Sequence, residues 1–446
     1  MKDYLIYKLS DEMKKSTRID AALFKKMDVK RGLRNEDGTG VLVGLTNIGN
    51  VVGYERNADG QLMPVEGKLY FRGYEVKDLV KAINAENRCG FEEIAFLLLS
   101  GRLPDAEELA QFRELVYDNM PLAHQTVLHI LELEGDDIMN ILARSVMEFY
   151  TFDAKPDDVS RDNLMRQSIE LISKFPTLIA YAYNMYRHKE HGRSLHIRDA
   201  KKGKSLAENF LYMLKGTGYT PLDVRTLDLL LILHAEHGGG NNSTFTVRVT
   251  SSTGTDTFSS IAAGIGSLKG PKHGGANLKV CDMLDFLKKS VSDWTNEEEI
   301  STYIRRILDK EVYDKTGLLY GIGHAVYTKS DPRAVLLKEK ARELAEEKGR
   351  LKEYEFLETV ERLATQIVSE AFPNKHFCAN VDFYSGFVYD CIGIPKEIYT
   401  PLFAMARIVG WCAHRNEELN FEGRRIIRPA YKCVTDEREY LEIKKR

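Results

Sequence analysis

Helix-length apolar segments separated by short breaks are the feature that most constrains the fold of this chain. In residues 91–116, FEEIAFLLLSGRLPDAEELAQFRELV, Gly101 and Pro104 separate two segments whose apolar residues recur at helical spacing. Asp105 with Glu108 three residues later forms the pattern of a capping box, which predicts the start of the second helix. Similar helical segments recur at 206–215, 221–235, 257–268, 333–347 and 355–371. Because these segments differ in length and share no fixed period, the sequence predicts a mainly α protein and not a repeat array.

The N-terminal part of the chain has a different character. Residues 1–27 interleave charged and apolar side chains and predict an amphipathic helical region. Residues 39–75 contain short β-branched and aromatic runs punctuated by glycine, which predict a few small strands or loops. Further along, the Ala- and Gly-rich segment 257–268 predicts a buried helix, because small residues let neighbouring helices approach closely.

Composition and charge exclude several broad classes of protein. Of the 446 residues, 43% are hydrophobic and 29% are charged, which predicts a folded chain with a substantial core. The formal net charge of −3 gives no indication of a nucleic-acid or membrane partner. No apolar run is long enough to span a membrane, and the N-terminus lacks the apolar core of a signal peptide. The six cysteines are scattered without a CxxC pair, so we expect a reduced, cytoplasmic protein without a zinc site.

Residues that can carry chemistry are concentrated in four motifs. These are HAEHGGGNNSTFTVR with His237, GPKHGGAN with His273, GIGHAVYTKSDPR with His324 and Arg333, and NVDFYSGF with Asp382. Glycine beside a histidine lets a ligand approach the imidazole, although a plain turn between helices is the favoured interpretation of the His273 motif taken alone. It would be a poor explanation that all five of these residues occur in such settings by chance. We therefore interpret them as parts of one site.

Two other kinds of site were considered for the same motifs. His234 and His237 lie three residues apart and could supply half of a metal site, but no further ligands complete a zinc pattern. The segment GIGHAV lacks the third glycine and the preceding strand of a dinucleotide-binding motif. The sequence therefore favours neither a metal centre nor a dinucleotide fold.

Seven segments, taken in order, resemble the signatures of the si-type citrate synthase family. They are GKLYFRGYEV, FEEIAFLLLSGRLP, SLAENFLYML, HAEHGGGNNSTFTVR, IAAGIGSLKGPKHGGAN, GIGHAVYTKSDPR and NVDFYSGF. The resemblance extends from about residue 40 to the C-terminus, and seven motifs in the family's order are far more specific than any one of them. It implies a two-lobed, all-helical fold with a few short β segments near the N-terminus.

The resemblance also implies a domain organisation and an assembly. A large helical domain would comprise residues 1–276 and 392–446, and a small helical domain would comprise residues 277–391. The catalytic set would then assemble when the two lobes close. The resemblance implies a homodimer in which each site is completed by an arginine of the neighbouring subunit. Arg428, in the IIRPAY segment, corresponds to that arginine.

The activity implied by the resemblance is the condensation of acetyl-CoA with oxaloacetate and water to citrate and free CoA, a reaction of the tricarboxylic acid cycle. Asp382 would deprotonate the methyl group, His273 would stabilise the enol, and His324 would polarise the ketone of oxaloacetate. A carboxylate can remove so weakly acidic a proton only if the enolate oxygen is stabilised as it forms. No metal is implied, and no cofactor beyond the CoA thioester, which is a substrate.

The remaining site residues are also assigned by the resemblance. Those expected at the oxaloacetate side or in support of it are His237, Arg333, Arg407, Arg428, Phe403 and Ser243. Those expected to contact CoA are Leu318, Leu319, Tyr320, Gly321, Ile322, Gly323, Ala325 and Asn380. Arginine suits a dicarboxylate because its planar fork donates paired hydrogen bonds, and Ser243 is the expected partner of His273. Thr328 stands where the family often has a basic residue, so the contacts to the CoA phosphates are left open.

Two other functions stay open on the sequence. A 2-methylcitrate synthase would use propionyl-CoA on the same scaffold, and a hydrophobic pocket separates substrates that differ by one methylene by only about 1–3 kcal/mol. A catalytically silent helical dimer, acting as a binding or regulatory module, is a more remote alternative, because such a protein would be expected to have lost part of the catalytic set.

Overall fold

The computed structural model describes residues 2–35, 39–373 and 375–446, and it is mainly helical. The α-helices are α1 (Lys2–Ser16), α2 (Ala22–Lys26), α3 (Val76–Ala85), α4 (Phe91–Ser100), α5 (Ala106–Asp118), α6 (His124–Glu132), α7 (Ile138–Phe152), α8 (Arg161–His191), α9 (Leu206–Lys215), α10 (Pro221–His234), α11 (Asn242–Ser251), α12 (Thr257–Lys269), α13 (Ala276–Ser290), α14 (Glu297–Leu308), α15 (Pro332–Glu347), α16 (Leu351–Ala371), α17 (Asp382–Ile392) and α18 (Tyr399–Asn420). The strands are β1 (Gly49–Arg56), β2 (Leu62–Phe71) and β3 (Tyr74–Glu75). The prediction of a mainly α chain with a few short strands near the N-terminus is confirmed. Within the described ranges, no helix combines the length and apolar character needed to cross a membrane.

The chain divides into two compact units, one of Met1–Leu45 with Arg428–Arg446 and one of Thr46–Ile427. In the first unit, α1 and α2 form the helical region that the sequence predicts. Many apolar side chains of this unit are exposed, including Tyr4, Ile6, Tyr431 and Tyr440. The predicted division into a large and a small lobe is a different one, and it stays a prediction.

An antiparallel sheet of β1, β2 and β3, in that order, opens the second unit. Two of its glycines face the segment that follows His324. A Cβ atom on Gly53 would lie 2.2 Å from the carbonyl oxygen of Val326. A Cβ atom on Gly67 would lie 2.1 Å from the carbonyl oxygen of Ser330. Both positions require glycine, because any side chain would collide with the backbone of a loop that carries site residues.

The helix break predicted in residues 91–116 is present. α4 ends at Ser100, and Gly101 follows with a φ of +89°, in the left-handed region that favours glycine. Asp105 accepts a hydrogen bond from the Glu108 N–H at 2.8 Å. The Glu108 carboxylate accepts one from the Asp105 N–H at 3.0 Å. The predicted capping box is therefore formed, and it fixes the start of α5.

The core of the second unit is built around α18, which packs against α8, α10, α11 and α12. Small residues on α12 permit the close approach expected from the sequence. A Cβ atom on Gly264 would lie 2.6 Å from Val247 of α11 and 3.4 Å from the Trp411 ring of α18. Trp411 is fully buried where these three helices meet.

His324 and Asp382 both lie in the part of the chain formed by helices α13 to α17. α13 packs against α17, and α15 packs against both α16 and α17. His324 lies in the segment between α14 and α15, and Asp382 is the first residue of α17. His324 therefore lies in a loop and Asp382 at a helix N-terminus.

Candidate active site

His273 lies in the tight turn between α12 and α13. A Cβ atom on Gly274 would lie 2.6 Å from the carbonyl oxygen of Leu268. A Cβ atom on Gly275 would lie 2.9 Å from the Cα atom of Pro271. The sequence suggested that these glycines admit a ligand to the imidazole, but the structure gives them a different reason, which is the closeness of the backbone in the turn.

The imidazole of His273 is oriented by Ser243, near the start of α11. Its Nε2 atom lies 3.0 Å from the Ser243 hydroxyl and accepts a hydrogen bond from the Ser243 backbone N–H at 3.3 Å. A backbone N–H can only donate, so Nε2 is the accepting nitrogen and the ring proton lies on Nδ1. Burial, followed by the charge of Arg407, lowers the pKa of His273 to about 4. The ring is therefore neutral near pH 7 and presents an N–H donor at Nδ1.

His324 is oriented by the backbone of its own loop. Its Nδ1 atom accepts hydrogen bonds from the N–H groups of Val326 at 3.0 Å and Tyr327 at 3.1 Å. Two donors on Nδ1 place the proton of the neutral ring on Nε2. The Tyr327 ring stacks on the imidazole with 4.7 Å between the centroids. His324 is thus the opposite tautomer to His273.

Asn380 joins the His324 loop to Asp382. Its backbone N–H donates to the Gly321 carbonyl at 2.9 Å, and its side-chain nitrogen donates to the Gly323 carbonyl at 2.9 Å. Its side-chain oxygen accepts from the Asp382 N–H at 3.0 Å. Gly321 and Gly323 have φ values of +81° and +98°, which favour glycine at both positions. The loop predicted to bind CoA and the predicted base are therefore built as one hydrogen-bonded unit.

Asp382 has the electrostatic character of a general base. Burial, the largest cause, raises the pKa of Asp382 to about 6, although the charges of Arg333 and Arg407 act in the opposite direction. A carboxylate with a pKa near 6 is more basic than an exposed aspartate and is still largely ionised at neutral pH. Burial therefore shifts the pKa of Asp382 in the direction that proton abstraction requires.

Arg407 is fully buried beside the ring of Phe403, with 4.7 Å between the guanidinium carbon and the ring centroid. Its Nε atom donates to the carbonyl of His234 at 2.6 Å. In the described part of the chain, Nη1 and Nη2 have no hydrogen-bond partner. Burial lowers the pKa of Arg407 to about 10, which still leaves the group cationic. The Phe403 centroid also lies 6.3 Å from that of His273, so these three predicted residues are brought together.

His237 meets His324 and Tyr327 edge to face, with 5.1 Å and 5.5 Å between the ring centroids. Its Nε2 atom and the Tyr327 hydroxyl are buried and, like the fork of Arg407, find no hydrogen-bond partner among the described residues. Burial, followed by the charge of Arg333, lowers the pKa of His237 well below its usual value. Leaving buried polar groups unpaired is costly, so this cluster marks a site for a polar ligand.

Arg333 is held in a different way from Arg407. Its Nε and Nη2 atoms donate to the two carboxylate oxygens of Asp331 at 3.0 Å and 2.7 Å. Burial opposes the charge of Arg333, but Asp331 raises its pKa. The guanidinium carbon lies 5.7 Å from the centroid of Tyr327. The structure therefore gives Arg333 an internal partner that the sequence analysis did not foresee.

Two aromatic residues belong to the site although the sequence analysis did not select them. Tyr327 stacks on His324, and the Nε1 atom of Trp411 donates to the Ser243 hydroxyl at 3.2 Å. Tyr327 lies three residues after His324 in the same motif, so its position was a usable signal. Trp411 is 168 residues from Ser243 and has no local signal.

For several predicted residues, the structure gives a position but does not test the predicted contact with a substrate. Arg428 is exposed and belongs to the unit formed with Met1–Leu45, so its predicted contribution to the site stays a prediction. In the predicted CoA loop, Leu318 is exposed and Leu319 is buried. The amide of Asn380 serves the loop itself, and its predicted contact with CoA also stays a prediction.

His234, which was considered as a metal ligand together with His237, makes a hydrogen bond within its own helix instead. The His234 Nδ1 atom lies 2.8 Å from the Leu230 carbonyl, to which only an N–H can donate. Among the residues that the structure describes, no three His, Cys, Asp or Glu side chains are grouped so that they could hold a metal ion.

Comparison with known proteins bears on this geometry. The family model described as citrate synthase, C-terminal domain, matches residues 37–430. The chain belongs to the citrate synthase family. A citrate synthase of Deinococcus radiodurans is 37% identical over 359 residues, which cover 80% of this chain and 88% of that protein. As a member of the citrate synthase family, the chain is an acyltransferase enzyme.

Two further matches are a 2-methylcitrate synthase and a citrate synthase structure that contains bound ligands. The 2-methylcitrate synthase 2 of Corynebacterium glutamicum is 33% identical, over 87% of this chain and 94% of that protein. The structure of a citrate synthase from Thermoplasma acidophilum, solved as a ternary complex with carboxymethyl coenzyme A and oxaloacetate, aligns with a TM-score of 0.74. It is 28% identical, and the alignment covers 91% of this chain and 97% of that one.

Proposed function

We propose that the enzyme condenses acetyl-CoA with oxaloacetate and water to give citrate and free CoA. The observation that carries this proposal is the set of buried polar atoms without partners among the described residues, formed by the Arg407 fork, the His237 Nε2 atom and the Tyr327 hydroxyl. A small dicarboxylate with a ketone oxygen offers matching acceptors. The Thermoplasma acidophilum relative, which binds oxaloacetate with a CoA analogue, supports the same class of ligand.

The first step of the proposed mechanism removes a proton from the methyl carbon of acetyl-CoA. Asp382, with a pKa of about 6, takes that proton. The electron pair of the broken C–H bond moves onto the thioester oxygen, where negative charge develops. His273 meets this oxygen with its Nδ1–H and lowers the energy of the enolate as it forms.

In the second step, the enol carbon attacks the ketone carbon of oxaloacetate and forms the new carbon–carbon bond. His324 directs its Nε2–H to the ketone oxygen, which makes the carbon electrophilic and stabilises the developing alkoxide. The proton that Asp382 took from the methyl group then neutralises the alkoxide, and Asp382 is again ionised. Water then adds to the thioester carbonyl of citryl-CoA. The carbon–sulfur bond breaks, CoA leaves with its thiol, and citrate is released.

Oxaloacetate binding is assigned to His237, Arg333 and Arg407, with Phe403 as the apolar wall. The unpaired fork of Arg407 suits one carboxylate, while Arg333 adds positive charge from within its pair with Asp331. Arg428 completes the set from the neighbouring subunit of a homodimer. The exposed apolar side chains of the unit that carries Arg428 support this assembly.

Acetyl-CoA is assigned to the loop Leu318–Ala325, with Asn380 beneath it. The positive φ angles of Gly321 and Gly323 keep the loop close to the chain that carries Asp382. The chemistry requires neither a metal nor a further cofactor, because the thioester itself supplies the activated acyl group. We place the enzyme in the cytoplasm and in the tricarboxylic acid cycle.

Lobe closure is part of the same proposal. Residues 277–391 contribute His324, Arg333, Asp382 and the predicted CoA loop, whereas residues 1–276 and 392–446 contribute His237, His273 and Arg407. Closure over oxaloacetate would exclude water until condensation is complete and so limit wasteful hydrolysis of the thioester. Small-angle scattering should show a more compact particle with oxaloacetate, and equal compactness with and without it contradicts closure.

A second candidate is 2-methylcitrate synthesis from propionyl-CoA, which the relative of that name in Corynebacterium glutamicum supports. The mechanism is unchanged, because propionyl-CoA also has an acidic α-proton. The two substrates differ by one methylene, which a pocket resolves by about 1–3 kcal/mol.

The deciding experiment measures oxaloacetate-dependent release of free thiol from acetyl-CoA and propionyl-CoA at matched concentrations. A larger kcat/KM with acetyl-CoA supports citrate synthesis, and a preference for propionyl-CoA supports the second candidate. Absence of release from either substrate, in folded protein, overturns both proposals and favours a silent helical dimer.

Arg407→Lys tests the oxaloacetate site in the same assay. Lysine keeps the charge and loses the fork, so we expect KM for oxaloacetate to rise by roughly tenfold or more. Arg305→Lys is the matched control, because Arg305 forms an exposed ion pair with Glu370, and the KM of this variant for oxaloacetate should be unchanged. An unchanged KM in Arg407→Lys would remove Arg407 from the oxaloacetate site.

A further inference from the structure

The hydroxyl of Ser243 has three hydrogen-bonding neighbours, of which Trp411 and His273 are distant in the sequence and Asn241 is local. Trp411 Nε1 on α18 lies 3.2 Å from it, His273 Nε2 lies 3.0 Å from it, and Asn241 Oδ1 lies 2.9 Å from it. Ser243 and Trp411 are both fully buried, so water does not compete for these bonds. The direction of each bond therefore follows from counting protons.

A serine hydroxyl has one proton and two lone pairs. The indole N–H of Trp411 can only donate, so it occupies one lone pair of the Ser243 oxygen. The single hydroxyl proton can then go either to Asn241 or to His273. These two arrangements predict opposite tautomers for the His273 ring.

The backbone N–H of Ser243 decides between them. If the hydroxyl proton went to Asn241, His273 Nε2 would have to carry a proton to bond the Ser243 oxygen. That proton would be directed against the Ser243 N–H, which lies 3.3 Å from the same nitrogen. The hydroxyl proton therefore goes to His273, and Asn241 completes the set by turning its amide nitrogen toward the second lone pair.

We infer that Trp411 is a positioning residue for His273. Its indole N–H, together with the Asn241 amide, holds the Ser243 hydroxyl proton on His273 Nε2 and so keeps the ring proton on Nδ1. This inference rests on the proposed function, since Nδ1–H is the donor assigned to the thioester oxygen. Trp411 acts through Ser243.

The chain provides a matched control for this relay. It has two tryptophans, and the other one, Trp294, also donates its Nε1–H, to the Lys288 carbonyl at 3.2 Å. Trp294 packs on Phe356 with 5.0 Å between the ring centroids, in the link between α13 and α14. Trp294→Phe therefore removes a comparable ring and donor away from the site.

The test measures enolisation alone. Exchange of the acetyl-CoA methyl protons with deuterated water is followed in the presence of malate, an oxaloacetate analogue with a hydroxyl in place of the ketone. Trp411→Phe should slow the exchange by about fivefold, the effect of one lost hydrogen bond. Ser243→Ala should slow it by roughly tenfold or more, and Trp294→Phe should leave it unchanged.

The double variant Trp411→Phe with Ser243→Ala separates positioning from packing. If Trp411 acts only through Ser243, the double variant should exchange at the rate of Ser243→Ala alone. An equal further loss in the double variant would mean that Trp411 matters only as core packing, and it would overturn the inference. Unfolding midpoints of all variants, followed by circular dichroism, report the packing effect independently.

Asn241→Asp tests the same relay without a substitution in the core, in case Trp411→Phe does not fold. A carboxylate can only accept, so it should draw the Ser243 proton away from His273 and slow exchange by roughly tenfold, while the half-saturating concentration of malate stays unchanged. Exchange at the wild-type rate in Asn241→Asp overturns the inference. Failure of the proposed function is distinguishable, because wild-type enzyme would then release no thiol at all.

Discussion

His324 and His273 present opposite tautomers, and the chain fixes them by opposite means. His324 accepts from backbone N–H groups two and three residues further along its own loop. His273 is met by Ser243, 30 residues earlier, which is met in turn by Trp411 on α18. One histidine is therefore set by local backbone and the other by side chains that tertiary packing brings together.

This difference determines which half of the site is sensitive to substitution. Backbone N–H groups persist through every substitution except proline, so the tautomer of His324 is protected as long as its loop keeps its shape. A side-chain donor disappears with its residue, so the tautomer of His273 depends on the identity of Ser243 and its neighbours. The loop of His324 is instead vulnerable to displacement, and β1 and β2 press against it.

The largest effect is expected from Asp382→Asn, because every later step, including the one that His324 assists, requires the proton transfer that Asp382 performs. Thiol release should fall by about 10³-fold, within the range for a lost general base. Asparagine has nearly the same shape and cannot ionise, and burial already disfavours the charged carboxylate, so the variant should fold at least as well as wild type. Thiol-release assays check the expected loss of activity, and thermal unfolding checks the expected stability. Retention of a tenth of the activity would contradict the role of Asp382 as the general base.

The next effect separates the two histidines. His273→Ala and His324→Ala should each lower thiol release by about 10²-fold, the effect of losing a donor to developing negative charge. With malate present, however, only His273→Ala should lose methyl-proton exchange, because no ketone has to be polarised for enolisation. Equal loss of exchange in both variants would show that the histidines do not divide the chemistry. His188→Ala, an exposed histidine remote in sequence from the motifs, is the control for both assays.

The same contrast explains how much the sequence could predict. The helices, the capping box and the residues of each motif follow from local spacing, and the structure brings His273 to Ser243 and His237 to His324. Trp411 reaches Ser243 only through the packing of α11, α12 and α18, which no local pattern encodes.

Two further points required coordinates for the same reason. The glycines beside His273 are explained by backbone atoms of the turn, which are visible only once the turn is built. The pair between Arg333 and Asp331 lies within one motif, but spacing alone does not reveal whether an arginine fork faces a ligand or its own chain.

A smaller effect is expected from displacing the His324 loop without touching a site residue. In Gly67→Ala the new methyl group would lie 2.1 Å from the Ser330 carbonyl oxygen and 2.7 Å from the Tyr327 ring, so the loop must shift. We expect stability to fall by about 1–3 kcal/mol. We expect kcat to fall by roughly tenfold, because sub-ångström placement of His324 is lost.

Gly218→Ala is the matched control, since its methyl group would meet nothing closer than the Lys215 carbonyl at 3.9 Å. Its kcat should equal that of wild type. Because the methyl group in Gly67→Ala presses on the His324 loop, methyl-proton exchange with malate should be less affected than thiol release. Equal losses in both assays would show that the sheet supports the whole site and not only the His324 side.

The smallest effect is a pH dependence that compares the two sides in wild-type enzyme. Asp382 must be deprotonated to act, and its pKa is raised to about 6, so activity should rise with pH through that value. His273 must be neutral, and its pKa is lowered to about 4, so it should already be neutral where Asp382 titrates. A plot of log kcat/KM against pH should therefore have a slope of one below pH 6, with about half of the maximum at pH 6. A slope of two between pH 5 and 6 would mean that His273 titrates together with Asp382, and that burial beside Arg407 does not hold its ring neutral.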